Sequence, residues 1–229
     1  MAFYPKAFIY DLDGVITDTA EYHYLAWKRL AEELGVSFDR HFNEQLKGIS
    51  RMDSLERILA LNPTLATMSE DEKMAHASRK NDYYLELIET ISPADILPGI
   101  EELLKMNQKH GLKIALGSAS KNAAHVLEKL ELTHYFDYIV DASKVKNGKP
   151  DPETFLVAAD ALGIAPADCI GVEDSAAGID SINAAGMFSV GVGEVVHLHG
   201  ADYLVDSTSS LDYDEIIKRY EEQRKASEE

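Results

Sequence analysis

The chain has 229 residues, of which 45% are hydrophobic and 27% charged, as is usual for a globular protein with a sizeable core. Its formal net charge of −18 argues against binding nucleic acid or an anionic membrane through the overall field, although a local basic pocket can still hold an anionic substrate. The single cysteine, Cys169, excludes an intramolecular disulfide and fits a reducing compartment. Without a signal-peptide pattern or an apolar stretch of about 20 residues, we expect a cytoplasmic protein.

Short apolar runs alternate with helical patterns along most of the chain. The first run, residues 7–10, ends at Asp11 and predicts a buried strand. Strands alternating with helices predict an α/β fold, a Rossmann-like core with a parallel sheet between helices. The other predicted strands are 113–116, 138–140, 169–172 and 188–192, and the predicted helices are 99–110, 121–132, 152–162, 175–185 and a polar 214–229.

Residues 18–95 interrupt this alternation, because they contain helical spacing and no convincing buried strand. The helical patterns cover 18–34, 54–61 and 70–91, the last as one or two helices. The chain is expected to return near Ser92, because the residue before a proline is biased away from helix. We therefore predict an inserted all-helical cap domain, 18–95, and a core domain formed by 1–17 and 96–229.

Two carboxylates follow the first predicted strand, at the sheet edge where open parallel sheets bind ligands. Asp11 and Asp13 are two residues apart, so both can face one site on an extended chain, and Gly14 permits a sharp turn. Two close carboxylates repel each other, and this arrangement is costly without a nearby cation. Mg²⁺ is the usual cation where phosphate also binds. A solvated loop or a helix cap is the alternative interpretation.

A serine-rich segment follows the second long strand. Ser118 and Ser120, with nearby backbone N–H groups at the opening of a helix, are typical of an anion site. The alternative is that Ser120 or Asn122 only caps that helix. The segment therefore indicates phosphate binding only in combination with other residues.

A lysine and an acidic pair complete the set of polar residues. Lys149 stands between Gly148 and Pro150 in a loop before a helix, and it is either a phosphate contact or a solvated lysine. Glu173 and Asp174 follow the strand that begins at Cys169 and are either metal ligands or a helix cap. Together the groups predict phosphoryl transfer: one carboxylate attacks phosphorus, the other handles a proton, and cation and lysine neutralise the phosphoryl oxygens.

The order of these groups along the chain resembles the haloacid dehalogenase (HAD) superfamily, over nearly the whole chain. The resemblance rests on Asp-Leu-Asp-Gly at 11–14, then Ser118, Lys149 and Glu173-Asp174, with the helical insert in the place of that family's cap. It implies that Asp11 is the nucleophile that becomes an aspartyl phosphate and that Asp13 is the general acid/base. It further implies Mg²⁺ held by Asp11, Asp13 through its backbone carbonyl, Glu173 and Asp174, and phosphate held by Ser118, Ala119 and Lys149.

The core groups fit a phosphatase and a mutase equally, so the insert decides between them, because its closure excludes water and orients the acceptor. The segments 17–23, 46–51, 79–81 and 118–122 are similar to those of hexose-phosphate mutases in the superfamily. For single residues the alternatives are packing by Trp27 and ordinary surface roles for His23, Arg51 and Lys80. The residues that the resemblance implies for substrate binding are His23, Trp27, Lys47, Gly48, Ile49, Ser50, Arg51, Ser54, Lys80, Ser120 and Asn122, with Thr19 in the hinge.

The resemblance implies interconversion of β-D-glucose 1-phosphate and β-D-glucose 6-phosphate through a bisphosphate intermediate. A sugar-phosphate phosphatase with the same core is the alternative, and a non-catalytic binding protein is the third hypothesis. We expect small sugar phosphates as partners, no nucleic acid or membrane, and a monomer.

Overall fold

The computed structural model describes residues 3–46, 49–65 and 67–227. The predicted parallel sheet is confirmed: six parallel strands lie in the order β3-β2-β1-β4-β5-β6. The last strand was not predicted, because a three-residue edge strand carries too little pattern to recognise. The strands are β1 (Ala7–Tyr10), β2 (Lys113–Leu116), β3 (Tyr138–Ile139), β4 (Cys169–Glu173), β5 (Phe188–Val192) and β6 (Tyr203–Val205).

Ten α-helices lie within the described residues, and each predicted helix is present with shifted ends. The segment 70–91 forms one helix, and the helix predicted from residue 54 begins earlier, because Ser50 caps it by accepting from the Asp53 N–H. The helices are α1 (Ala20–Glu33), α2 (Arg40–Asn43), α3 (Arg51–Leu59), α4 (Glu70–Ile88), α5 (Ile100–Lys109), α6 (Ala123–Lys129), α7 (Glu153–Leu162), α8 (Ala176–Ala184), α9 (Val195–Leu198) and α10 (Tyr213–Ala226).

The central strands are buried on both faces, which is why they appear as continuous apolar runs. Successive side chains of β1 point to opposite faces. Phe8 and Tyr10 join the cluster that contains residues of α5, α6 and α10, whereas Ala7 and Ile9 join the cluster that contains residues of α7 and α8. The two layers of helices therefore hold the carboxyl end of β1 in a fixed position.

Residues of α1, α3 and α4 form a hydrophobic cluster separate from those on the two faces of the sheet. Trp27, Leu30, Leu55 and Ile58 are buried in it. Helix α4 begins with a capping box, in which Ser69 and Glu72 each bond the other's backbone N–H. We call residues 20–88 the helical insert.

The two segments that join the insert to the sheet run side by side. Thr17 forms an isolated antiparallel bridge with Ile96, and its hydroxyl donates to the Asp95 carbonyl at 2.7 Å. These contacts support the predicted division at 17/18 and 95/96, which we retain as a proposal. In the part of the chain that the structure describes, no helix is both long and apolar enough to cross a membrane.

Candidate active site

The carboxylate of Asp11 lies at the carboxyl end of the sheet, beside the end of the neighbouring strand. Strands β1 and β4 pair in register, with Tyr10 opposite Val172, so Asp11 and Glu173 extend from adjacent positions. Lys149 reaches between them: its Nζ lies 2.9 Å from Asp11 Oδ1 and 2.5 Å from Glu173 Oε1. The predicted meeting of these groups at one sheet edge therefore occurs in the structure.

Lys149 is a buried cation, with no exposed side-chain surface. Burial alone would lower the pKa of Lys149, but the carboxylates of Asp11 and Glu173 outweigh it and hold that pKa above its ordinary value. The ammonium group therefore keeps its positive charge beside the carboxylate predicted to attack phosphorus. Such a fixed charge is suited to stabilising the oxygens of a transferring phosphoryl group.

Glu173 is fully buried, and protein groups occupy both of its oxygens. Oε1 accepts from Lys149, and Oε2 accepts from the backbone N–H and the hydroxyl of Ser175 at 2.8 and 2.9 Å. Helix α8 approaches closely at Gly178, where an added Cβ would lie 1.9 Å from the Glu173 carboxyl carbon. These contacts fix Glu173 and, through it, the position of Lys149.

Three carboxylates could hold a cation: Asp11, Glu173 and Asp174 each place an oxygen within 4.8 Å of the others. Burial raises the pKa of Asp11 to about 7, although the positive charge of Lys149 acts to lower that pKa. The negative charges of Glu173 and Asp13 add to the rise. A cation among these oxygens would favour the ionised form of Asp11. The donor set therefore fits a hard divalent metal ion.

The Asp13 carboxylate faces the junction with the insert. Its Oδ1 accepts from the backbone N–H of Thr19 at 3.2 Å and from the Thr19 hydroxyl, and its Oδ2 lies 3.6 Å from His23 Nε2. Burial would raise the pKa of Asp13, but these hydrogen bonds outweigh it and lower that pKa. Asp13 is thus an ionised carboxylate, able to accept a proton.

Lys80 enters the site from helix α4 of the insert. It is buried, its Nζ lies 2.7 Å from His23 Nδ1, and it also lies 4.8 Å from the centre of the Trp27 ring. Burial and the positive charge of Arg51 lower the pKa of Lys80 to about 7. Burial and Lys80 likewise lower the pKa of His23.

Arg51 and Asn122 meet at Asn81, across the cleft between insert and sheet. The Asn81 side-chain oxygen accepts from Arg51 Nη2 and from Asn122 Nδ2, each at 2.7 Å. Two donors thus converge on one oxygen, which is the arrangement that an anionic oxygen also requires. Arg51 and Asn122 are among the residues for which the resemblance implies contact with the sugar phosphate.

Most of the predicted site residues line one cavity between the insert and the sheet. Ser50 instead caps α3 and lines a neighbouring cavity. Lys149 and Glu173 lie buried beside Asp11, and Thr19 is buried against Asp13, whereas Lys47 and Gly48 lie outside the described residues. The predicted residues that line the cavity are Asp11, Asp13, Asp174, Ser118, Ala119, Ser120, Asn122, His23, Trp27, Ile49, Arg51, Ser54 and Lys80.

Several residues that line the cavity or contact its lining residues were given no role from the sequence. Lys121 follows Ser120 and Asn81 follows Lys80, both within segments that carried the resemblance. This adjacency was the signal from which a place near the site could have been predicted. Tyr84 has the spacing of an ordinary core residue, so its contacts with site residues could be found only from the structure. Ala20, Asn43 and Leu46 also line the cavity.

The fold and the carboxylate–lysine site together indicate the family of this chain. Residues 5–186 match the family model described as haloacid dehalogenase-like hydrolase. The chain therefore belongs to the haloacid dehalogenase-like family, and the resemblance inferred from the motifs is confirmed.

Individual relatives are similar to the chain over 80–96% of its length. A β-phosphoglucomutase from Bacillus subtilis is 48% identical, over 96% of this chain and 97% of the relative. The crystal structure of a β-phosphoglucomutase from Clostridium difficile is 53% identical and has a TM-score of 0.95, covering 96% of this chain and 99% of that one. A fructose-1-phosphate phosphatase from Escherichia coli is 32% identical over 80% of this chain and 94% of the relative.

Proposed function

We propose that the protein is a β-phosphoglucomutase, an isomerase that interconverts β-D-glucose 1-phosphate and β-D-glucose 6-phosphate. The observation that carries the proposal is a single cavity in which the Asp11 and Asp13 carboxylates face Arg51 and Lys80 of the insert. Such a cavity can bind a sugar phosphate at both ends. The similarity to β-phosphoglucomutases over nearly the whole chain supports the same function.

In one half-reaction Asp11 attacks a phosphoryl group of the bisphosphate, while Asp13 carries the proton that it took from a sugar hydroxyl in the preceding half-reaction. The new bond joins an Asp11 carboxylate oxygen to phosphorus, and the bond from phosphorus to the sugar oxygen breaks. Lys149, held against Asp11 by Glu173, offsets the negative charge of the phosphoryl oxygens. Asp13 donates a proton to the departing sugar oxygen.

The other half-reaction reverses these steps on the free hydroxyl of an incoming hexose monophosphate. Asp13 removes the proton of that hydroxyl, whose oxygen attacks the aspartyl phosphate, so that Asp11 is released as a carboxylate. The bisphosphate formed in this way reorients before Asp11 attacks again, which exchanges the phosphoryl group at the Asp11 end. Arg51 and Asn122 then hold the phosphate that does not react, through the donors that meet at Asn81.

We propose Mg²⁺ as the ion for the carboxylate group of Asp11, Glu173 and Asp174, with the backbone carbonyl of Asp13 as a further ligand. The close spacing of the three carboxylates supports a cation there. When bound, Mg²⁺ supplies positive charge to the phosphoryl oxygens as the phosphoryl group is transferred. Action as a cytoplasmic monomer remains the prediction from the sequence.

The test is an assay that follows both possible products. We expect the protein, given β-glucose 1-phosphate, Mg²⁺ and a trace of β-glucose 1,6-bisphosphate, to form glucose 6-phosphate with little orthophosphate. Asp11→Asn removes the nucleophile and is expected to abolish turnover, because the amide cannot form the aspartyl phosphate. Stoichiometric orthophosphate without glucose 6-phosphate would favour a sugar-phosphate phosphatase, the class to which the fructose-1-phosphate phosphatase from Escherichia coli belongs.

A further inference from the structure

Tyr84 is a fully buried residue of α4 that has no part in the steps proposed above. Its ring stacks on the imidazole of His23, with the ring centres 4.0 Å apart and the planes at 17°. Its hydroxyl donates to Thr19 Oγ1 at 3.2 Å. Tyr84 therefore contacts the two residues whose side chains face the Asp13 carboxylate.

The hydroxyl groups of Tyr84 and Thr19 form a chain of two hydrogen bonds, and both bonds are donated in the direction of Asp13. A threonine hydroxyl has a single proton to donate, and that of Thr19 is donated to Asp13 Oδ1, while its oxygen accepts from Tyr84. Burial raises the pKa of Tyr84 above its ordinary value, so its hydroxyl remains a donor. Thr19 occupies the N-cap position of α1 without capping the helix through its side chain, which leaves the hydroxyl for Asp13.

The stacked ring constrains the other partner of Asp13. The face of Tyr84 limits the rotation of the His23 imidazole, whose Nδ1 lies 2.7 Å from Lys80 Nζ. His23 Nε2 is thereby directed at Asp13 Oδ2. One oxygen of Asp13 is bound by Thr19, and the second is directed toward the cavity beside His23.

We propose that Tyr84 is a positioning residue that holds the Asp13 carboxylate, through Thr19 and His23, in the orientation required for proton exchange with the sugar hydroxyl. The proposal rests on the mutase function proposed above. Because Tyr84 belongs to the insert and Asp13 follows β1, the contact also ties the acid/base group to the insert. Tyr84 affects the chemical step through the orientation of Asp13 and does not itself touch the substrate.

Tyr84→Phe tests the proposal, since it removes the hydroxyl and keeps the buried, stacked ring. We expect kcat for glucose 6-phosphate formation to fall about tenfold, because misplacing a reacting group lowers the rate steeply, whereas KM changes less than about twofold. Thr19→Val removes the hydroxyl through which Tyr84 acts. In the T19V background, Tyr84→Phe should change kcat by less than about twofold.

The matched control is Tyr83→Phe, which removes a hydroxyl from the preceding position of α4, where it donates to Glu33 at the surface. Its kcat should equal that of the wild type. The proposal is overturned if Tyr84→Phe leaves kcat unchanged, raises KM alone, or lowers kcat equally in the T19V background. A wild type that forms no glucose 6-phosphate would instead contradict the proposed function, so the two failures are distinguishable.

Discussion

At the scale of single residues, the site contains several charged side chains that are buried from solvent. Lys149 keeps its charge because two carboxylates flank it, whereas Lys80, buried beside Arg51, has a pKa lowered to about 7. The same residue type thus has two electrostatic roles in one site. Lys149 is suited to holding a permanent positive charge beside the phosphoryl group, and Lys80 is suited to holding a charge that changes near neutral pH.

Lys80 predicts a specific dependence of stability on pH. Between its pKa of about 7 in the folded protein and the ordinary lysine value of 10.5, the unfolded chain holds a proton that the folded chain lacks. The free energy of unfolding therefore rises with pH across this window, and below it the contribution is constant. Lys80→Met lacks this titration, so its stability relative to the wild type should fall by roughly 1–3 kcal/mol from pH 7 to pH 9.

Denaturant unfolding at pH 6, 7, 8 and 9 measures the difference. Lys105→Met, which removes a lysine exposed on α5, is the matched control and should follow the wild-type profile. Parallel profiles for Lys80→Met and the wild type would show that Lys80 is charged in the folded protein throughout this range.

The sequence was sufficient to predict which carboxylates meet, but it could not predict what holds them. Asp11, Glu173 and Asp174 come together because the ends of adjacent parallel strands share one edge, which follows from chain order and pattern alone. The contacts of Asn81 and Tyr84 depend on how the insert sits on the sheet. That arrangement is a tertiary property that periodicity does not encode.

At the scale of elements, helix ends and close approaches position the site. Ser175 caps α8 by accepting from the Gly178 N–H, and both the backbone N–H and the hydroxyl of Ser175 bond Glu173. The helix cap predicted as the alternative for this segment is therefore formed by Ser175, and metal binding by Glu173 and Asp174 stays a prediction. The predicted start differed from the observed one by three residues at α3 and by one residue at α8, since capping competes with periodicity there.

Gly178→Ala tests the close approach of α8 to the site. The new Cβ would lie 1.9 Å from the Glu173 carboxyl carbon, so Glu173 or the helix must move, and Lys149 with it. We expect at least a tenfold loss of kcat and a loss of stability of about 1–3 kcal/mol from overpacking. Steady-state kinetics and denaturant unfolding measure both.

Gly200→Ala is the control for Gly178→Ala, because its Cβ would meet its nearest neighbours at 3.7 Å, an ordinary contact. It should leave kcat and stability close to those of the wild type. Wild-type activity in Gly178→Ala would contradict the view that Glu173 positions Lys149.

At the scale of the whole molecule, the sheet supplies the proposed nucleophile, Asp11, and the insert covers the cavity in which it lies. Strand ends provide Asp11, Ser118 and Glu173, whereas Arg51 and Lys80 reach the same cavity from the insert. Chemistry at the sheet edge is common to hydrolases and mutases of the family, so the insert must bias the aspartyl phosphate toward a sugar hydroxyl and away from water. This bias is the central claim of the proposed function.

The most direct test follows the phosphoryl group itself. A trace of β-glucose 1,6-bisphosphate labelled with ³²P on both phosphates is mixed with enzyme, Mg²⁺ and an excess of unlabelled β-glucose 1-phosphate. The proposed function predicts that the label passes into glucose 6-phosphate over successive turnovers, with little in orthophosphate. Label recovered mainly as orthophosphate, with none in glucose 6-phosphate beyond that formed by loss of one phosphate, would contradict it.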